Sequence, residues 1–160
     1  MSRPDRTTLP SETPATNSDL PVDHDVVVIG GGASGLAAAV FTARYGLDTL
    51  VFDGGKAAIT QCAHIENYLG FPGGISPGRF LELGRTQVET AGGTIADERV
   101  HEVHRDGSNR FIVETAERDL LADRMVVAAA YDGDVLNPLA EELRVDRDGD
   151  DSPADEELFL

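Results

Sequence analysis

Cysteine is almost absent from this sequence of 160 residues, which limits its covalent and metal chemistry. Cys62 is the only one. A single thiol excludes an internal disulfide, a C-x-x-C redox pair and a cysteine-based zinc cluster within these residues. Because no resolving cysteine or paired histidine accompanies it, Cys62 is predicted to be a small packed side chain, with a redox role as the alternative.

Lysine is nearly absent too, and acidic residues far outnumber basic ones. The 13 basic residues stand against 29 acidic ones, which gives a formal charge of −16 and an isoelectric point near 4.4. Nucleic acids and anionic membranes bind basic surfaces, so neither is expected as a partner. Lys56 is the only lysine, and the acidic residues are spread along the chain. This pattern is typical of a halophilic protein, with an ordinary acidic protein as the alternative.

Large apolar residues are scarce at both ends of the chain. Residues 1–24 contain four of the eight prolines and seven serines or threonines, and they are predicted to form a disordered arm. The arm lacks the charged and apolar regions of a signal peptide, which indicates a cytoplasmic protein. Residues 141–160 carry nine acidic residues and two arginines and are expected to be a flexible acidic tail. One domain remains, at about 25–140.

The most informative segment is residues 25–53, DVVVIGGGASGLAAAVFTARYGLDTLVFD. Val26–Ile29 is a β-branched run typical of a buried parallel strand, and Gly30, Gly32 and Gly35 follow it in the spacing G-x-G-x-x-G. The first glycine allows a tight turn, the second a close approach of a pyrophosphate, and the third close packing of a helix on the sheet. The phosphates would bind at the N-terminus of that helix.

The helix is predicted to end at Gly46, and a second strand, Thr49–Phe52, leads to Asp53. A carboxylate at this place can accept both hydrogen bonds of an adenosine ribose and would repel a 2′-phosphate. Strand, helix, strand and acid together predict a dinucleotide-binding βαβ unit. The alternatives are a glycine-rich turn in another α/β protein and a membrane helix, because 26–43 is uncharged over about 18 residues. The successive glycines and the helical periodicity after them argue against the membrane helix.

The remaining segments predict a second helix and a meander. Ser76 and Pro77 are typical of a helix start, and the helix is expected to end at Gly92 and Gly93. Its buried face would carry Phe80, Leu81, Leu83, Gly84 and Val88.

Strands are predicted at about 94–104, 110–115 and 119–122, with a turn at Asp106-Gly107 between the first two. Met125–Ala130 is an apolar run that is expected to return to the parallel sheet. The fold class is therefore α/β, with a parallel sheet and a small antiparallel β-meander.

Three sequence stretches carry a resemblance to a known family: VVVIGGGASGLAAAV, TLVFDGG and IENYLGFPGGI. Over about 25–136 the chain resembles the FAD-binding half of thioredoxin reductase-like flavoproteins, within the pyridine nucleotide-disulfide oxidoreductases. The resemblance implies an FAD/NAD(P)-binding Rossmann-like fold in three layers, FAD as the cofactor, and a flavin-dependent oxidoreductase. It also implies a small-molecule or protein redox partner and allows a homodimer.

The resemblance implies a set of cofactor-binding residues. The pyrophosphate would be surrounded by Gly30, Gly32, Ala33, Ser34 and Gly35. Asp53 would hold the ribose, Gly54, Gly55 and Lys56 form the next loop, Asn67 would lie near the flavin, and the backbone of Val100 would meet the adenine. Lys56 could stabilise anionic reduced flavin or simply be solvated. Asn67 could instead be a turn-forming asparagine.

The sequence also departs from the family pattern. The family's ATG triplet reads Ala128-Ala129-Ala130, and Tyr131, Asp132 and Asp134 could replace the lost contacts. No second G-x-G-x-x-G, no C-x-x-C and no final GD segment is present, so a complete thioredoxin reductase is not expected from this chain alone. The alternatives to a flavin enzyme are a non-catalytic or truncated dinucleotide-binding module and an NAD-binding Rossmann protein.

Histidines supply no further site in this interpretation. His64 could tune the flavin or donate a proton, but a structural or surface role is favoured. His101 and His104 are three residues apart in a strand, so strict alternation places them on opposite faces, where they make poor joint metal ligands. Neither a catalytic residue nor a metal site is predicted.

Overall fold

The computed structural model describes residues 22–55 and 57–129, together with 135, 138 and 139. The elements named within these residues are six strands, two α-helices and a short 3-10 helix. In chain order these are β1 (His24–Ile29), α1 (Ala33–Arg44), β2 (Thr49–Phe52), the 3-10 helix (Ala58–Gln61), α2 (Pro77–Thr90), β3 (Thr94–Ala96), β4 (Val100–Arg105), β5 (Phe111–Thr115) and β6 (Asp119–Val127).

One sheet holds all six strands in the order β3-β2-β1-β6-β5-β4. The first four are parallel, with Val27 opposite Leu50 on one side and Met125 on the other. The side chains of β1 from Val26 to Ile29 are buried, as a parallel strand covered on both faces requires. The predicted βαβ unit is therefore confirmed.

Strand β6 joins the parallel sheet to the meander and differs from the prediction. The sequence indicated two separate strands, 119–122 and Met125–Ala130, but the structure has one strand of nine residues that ends at Val127. Its first half pairs antiparallel with β5 and its second half parallel with β1. The polar residues Asp123 and Arg124 do not interrupt it, because both are exposed strand residues.

The predicted strand 94–104 is instead divided between two parts of the sheet. β3 pairs parallel with β2, whereas β4 pairs antiparallel with β5. Between them the chain leaves the sheet at residues 97–99. The acidic side chains there are held by ion pairs, Asp97 with Arg85 and Glu98 with Arg118. The meander thus consists of β4, β5 and the first half of β6.

Two hydrophobic cores on opposite faces of the parallel sheet give the three layers that were predicted. On one face, Val26, Val28 and Val51 pack with residues of both helices, including Leu36 and Val88. On the other face, the alternate residues of β1 and β2 pack against the meander and against two buried residues that come after β6. The strand residues are Val27, Ile29, Leu50 and Phe52, those of the meander include Val103 and Val113, and the two later residues are Val135 and Leu139.

The helices begin and end close to the predicted positions. Gly46 follows α1 with a φ of +79°, and Gly92 follows α2 with a φ of +98°, the left-handed conformation that glycine adopts without a Cβ penalty. Pro77 opens α2 after Ser76, although the Ser76 side chain makes no capping hydrogen bond. Leu83 was predicted on the buried face of α2 but is 37% exposed, so that part of the stripe is wrong.

The membrane-helix alternative for 26–43 fails, because that segment is a strand, a turn and a twelve-residue helix. Within the described part of the chain, no helix has the length and hydropathy needed to cross a bilayer.

At the N-terminal boundary, β1 starts at His24, one residue before the predicted domain start. The Asp23 N–H donates to the Leu121 carbonyl at 2.9 Å. Residues 1–21 and 140–160, which include the predicted tail, lie outside the described residues.

Candidate functional site

A cleft of about 470 Å³ lies where β1 and β2 end and α1 begins. This is the edge at which parallel α/β sheets bind ligands, and the volume is within the range of cofactor pockets. The lining residues are Ile29, Gly30, Gly31, Gly32, Ala33, Ser34, Phe52, Asp53, Gly54, Ala57, Ala58, Ile59, Gln61, Glu98, Arg99, Val100, Ala128, Ala129 and Val135.

Two of the three fingerprint glycines are required by the fold around the cleft. Gly30 has a φ of +117°, and a Cβ there would lie 2.6 Å from the Ala128 carbonyl oxygen. A Cβ on Gly35 would overlap the Gly30 carbonyl oxygen, so α1 can approach β1 only without a side chain at this position. Gly35 consequently lies behind the cleft and does not line it.

Gly32 is different, because nothing in the described structure crowds it. A Cβ added there would meet only the Ala57 Cβ, at 3.8 Å, and its φ of −81° suits any residue. Protein packing therefore does not require a glycine here. The position faces open space in the cleft, which is the space a closely approaching ligand would need.

The N-terminus of α1 meets this open space without a capping side chain. Gly32 is the N-cap, the first turn contains no acidic residue, and the first intrahelical bond runs from the Leu36 N–H to the Gly32 carbonyl at 2.9 Å. The N–H groups of the first turn, which include those of Ala33 and Ser34, have no intrahelical acceptor. Together with the helix dipole they form a site suited to an anion.

Asp53 follows β2, and two donors from the described part of the chain fix its carboxylate. The Gly55 N–H donates to Oδ1 at 2.9 Å, and Arg85 Nη1 donates to Oδ2 at 2.6 Å. The side chain is 15% exposed. A Cβ on Gly31 would overlap this carboxyl group, so Gly31 allows Asp53 to lie against the glycine turn.

Arg85 on α2 was not identified from the sequence. Its Nη2 donates to Asp97 Oδ1 at 2.6 Å, so one guanidinium bridges Asp53 and Asp97. Burial acts to lower the pKa of Arg85, but hydrogen bonds to Asp97 and Asp53 and their charges raise it above its ordinary value. The available signal was a cation on a predicted helix and one carboxylate, Asp53, at a predicted strand end. Asp97 lay inside the predicted strand 94–104, and its pairing with Arg85 depends on tertiary structure.

The structure brings together part of the predicted cofactor-binding set. Six predicted residues besides Asp53 line the cleft: Gly30, Gly32, Ala33, Ser34, Gly54 and Val100. Neither Gly55 nor Asn67 lines it. Lys56, Ala130, Tyr131, Asp132 and Asp134 lie outside the described residues. The cleft wall formed by the 3-10 helix, and the lining residues Glu98 and Arg99, were not predicted from the sequence.

The ENYLGFP segment packs on the start of α2. The Tyr68 and Phe80 rings lie 4.5 Å apart between centroids, and Phe71 contacts Phe80 with centroids 6.1 Å apart. An isolated antiparallel bridge between Ile65 and Ile75 closes the loop. Asn67 is exposed within it. The segment is therefore anchored by its aromatic residues.

Two predictions about single side chains in this region have different outcomes. Cys62 is an exposed free thiol, so the packed side chain that was predicted is wrong. The residue follows the 3-10 helix, whose residues are not buried, and the core does not reach it. His64 is exposed, and its Nε2 lies 3.4 Å from the Gly73 carbonyl, which agrees with a structural role.

β4 contains a β-bulge at His101, which bears on the prediction for His101 and His104. The register shifts between Val100 and Glu102, so strict alternation does not hold across His101. His104 Nε2 lies 3.5 Å from Glu102 and 3.4 Å from Glu114. These three side chains form the one cluster with metal-ligand spacing among the described residues, and they are surface groups on the outer side of the meander.

Comparisons with known proteins agree with this geometry. The family model described as pyridine nucleotide-disulphide oxidoreductase matches residues 24–145. The chain is 34% identical over 119 residues to the bifunctional thioredoxin reductase/thioredoxin of Mycobacterium leprae, which covers 73% of this chain and 25% of that protein.

Solved structures give the same result. An atypical thioredoxin reductase from Desulfovibrio vulgaris superimposes with a TM-score of 0.60 at 35% identity, covering 64% of this chain and 34% of that one. A thioredoxin reductase from Gloeobacter violaceus gives 0.62 at 30% identity, covering 65% and 33%. The chain thus spans about a quarter to a third of the length of these relatives. It belongs to the pyridine nucleotide-disulphide oxidoreductase family and corresponds to the FAD-binding half of its thioredoxin reductase-like members.

Proposed function

We propose that this chain binds FAD in the cleft and is the flavin-holding domain of an oxidoreductase. The observation that carries the proposal is the open space beside Gly32 at the uncapped N-terminus of α1. A helix N-terminus of this kind suits a pyrophosphate. Asp53 at the end of the neighbouring strand supplies the acceptor for ribose hydroxyls.

The residues that line the cleft fit the parts of an adenine dinucleotide. Ala33 and Ser34 offer N–H groups to the phosphates, and the Val100 segment offers backbone groups and an apolar surface to the adenine. The apolar residues Ala57 and Ile59 would exclude water from the opposite wall. These groups bind and orient, and the residues predicted to touch the ligand need not react themselves.

FAD is preferred over NAD because of the fold beyond the βαβ unit. Simple NAD-binding domains lack both the ENYLGFP segment and the meander, and the related proteins named above are thioredoxin reductases. When bound, the flavin would supply the electron-transfer chemistry. With one cysteine, these 160 residues cannot form a dithiol, so their redox partner would be a small molecule or another protein that reaches the flavin.

The test is the absorbance spectrum of protein purified in high salt. We expect a yellow protein with the spectrum of oxidised flavin, or a colourless one that becomes yellow on reconstitution with FAD. A colourless protein that fails to take up FAD but is thermally stabilised by NAD would overturn the proposal in favour of an NAD-binding domain. Stabilisation by neither nucleotide would remove dinucleotide binding altogether.

A further inference from the structure

We propose that Arg85 is a positioning residue that holds Asp53 in the orientation needed to receive an adenosine ribose. Through Asp53 it would select ligands that carry ribose hydroxyls. The inference rests on the proposed function, because it concerns the adenosine end of the same cleft. Arg85 itself is not among the residues that line the cleft, so it would act through Asp53 and not by contact with the ligand.

The hydrogen bonds at Asp53 leave room for a ligand. Arg85 Nη1 occupies one site on Oδ2, and the Gly55 N–H occupies one site on Oδ1. Each carboxylate oxygen has two acceptor sites, so with respect to the donors of the described residues both oxygens keep one for a hydroxyl. The two protein donors therefore fix the plane of the carboxylate while its remaining acceptor sites stay available for two adjacent hydroxyls.

Burial makes the arginine important for this orientation. The Asp53 side chain is 15% exposed and the Arg85 side chain 30%. A carboxylate removed from water to this degree requires a paired charge or hydrogen bonds. Of these two donors, only the Gly55 N–H would remain to fix the carboxylate if Arg85 were removed.

Arg85 is itself held rigidly, because it bridges the ends of two neighbouring strands. Asp53 directly follows β2 and Asp97 directly follows β3, and the Asp53 N–H donates to the Ala96 carbonyl at 2.9 Å. The planar guanidinium reaches both carboxylates at 2.6 Å through separate nitrogens. A lysine has one ammonium on a flexible stem and could not reproduce this two-sided contact.

The experiment compares ADP with 2′,3′-dideoxy-ADP, which lacks both ribose hydroxyls but keeps the adenine and the phosphates. Binding of each to protein freed of nucleotide is measured by calorimetry for the wild type, Arg85→Gln and Arg85→Lys. The control is Arg79→Gln on the same helix, which breaks the exposed Arg79–Glu82 pair of 2.7 Å. FAD affinity and melting temperature are recorded for every variant.

We expect the wild type and Arg79→Gln to bind ADP roughly tenfold or more tightly than the dideoxy analogue, the range of a charge-assisted hydrogen bond. Arg85→Gln should reduce this ratio to near one, and Arg85→Lys should restore part of it. A general structural defect would weaken both ligands equally and leave the ratio unchanged.

Two outcomes separate the inference from the proposed function. If the wild type binds FAD but Arg85→Gln keeps the full preference for ADP, Arg85 does not position Asp53 and the inference is wrong. The same holds if the wild type has no preference for the ribose hydroxyls. If the wild type binds neither FAD nor ADP, the proposed function fails first. Should Arg85→Gln not fold, a ratio for Arg85→Lys equal to that of the wild type would overturn the inference, and a reduced ratio would support it.

Discussion

At the residue scale, Asp106 closes the turn between β4 and β5 with both its backbone and its side chain. The carboxylate, 1% exposed, accepts bonds from the Ser108 N–H and hydroxyl, the Arg110 N–H, and the Arg110 guanidinium at 2.8 Å. Burial alone would raise the pKa of Asp106. The bonds from Arg110 and Ser108 outweigh it and hold the pKa well below its usual range.

This depressed pKa gives a prediction about acid stability. A carboxyl whose pKa is lower in the folded state stabilises the fold at pH values above its unfolded pKa of about 4 and loses that contribution as the pH falls further. We expect Asp106→Asn to melt at a lower temperature than the wild type at pH 7. The gap in melting temperature should narrow as the pH is lowered below about 4. A gap that is constant from pH 7 to pH 3 would contradict this origin of the stability.

At the element scale, the contact of α1 with β1 depends on Gly35. Alanine is normally favoured over glycine inside a helix by up to about 1 kcal/mol. At Gly35, however, a Cβ would overlap the backbone oxygen of Gly30, which cannot move away like a side chain. We therefore expect Gly35→Ala to lower the free energy of unfolding by about 1–3 kcal/mol, as overpacking does.

Gly78 in α2 provides the matched control, because a Cβ there would meet nothing within 4 Å. Gly78→Ala should leave the stability unchanged or raise it by up to about 1 kcal/mol. Urea unfolding of both variants tests the pair. Equal effects at the two positions would show that helix propensity, and not the approach of α1 to β1, decides the stability.

Some elements could be predicted from the sequence and others could not. Local patterns sufficed for β1, α1 and β2, because periodicity and glycine chemistry act within a few residues. They failed at β6, where pairing to two different neighbours makes one strand of two apparent ones. They also gave no sign of the bulge at residue 101, which interrupts the strict alternation of side chains along β4.

In the candidate site, too, the features set by local sequence were predictable and those set by tertiary contacts were not. The glycine turn and Asp53 were predictable, since a ligand's chemistry fixes their spacing. Arg85 was not, because it lies 32 positions from Asp53 in the sequence and meets it only when α2 packs beside β2. Asn67 lies in a segment with an identifiable motif, yet the structure does not bring it to the cleft lining.

At the scale of the whole molecule, the excess of negative charge predicts a strong dependence of stability on salt. A formal charge of −16 on 160 residues opposes the compact state through self-repulsion. Screening shortens the reach of this repulsion from about 10 Å at 0.1 M to about 3 Å at 1 M salt. We expect the melting temperature to rise from 0.1 M to 1 M KCl, measured by circular dichroism. An unchanged or falling melting temperature would contradict the halophilic interpretation.

The binding cleft is a property of the whole molecule, because β1, β2, α1, the 3-10 helix and the start of β4 form it together. The most direct test of its assignment is a titration of nucleotide-free protein with FAD for the wild type, Gly32→Val and a Gly78→Val control, at 1 M KCl or above. Among the described residues, a Cβ at Gly32 would meet only the Ala57 Cβ, at 3.8 Å, so the valine should leave the fold and its melting temperature intact.

The valine would nevertheless fill the volume that the pyrophosphate needs. We predict saturable binding of FAD to the wild type and the Gly78→Val control. For Gly32→Val we predict binding weaker by roughly a hundredfold or more, about 2.7 kcal/mol. Equal FAD affinity of Gly32→Val and the wild type would contradict the placement of FAD in this cleft.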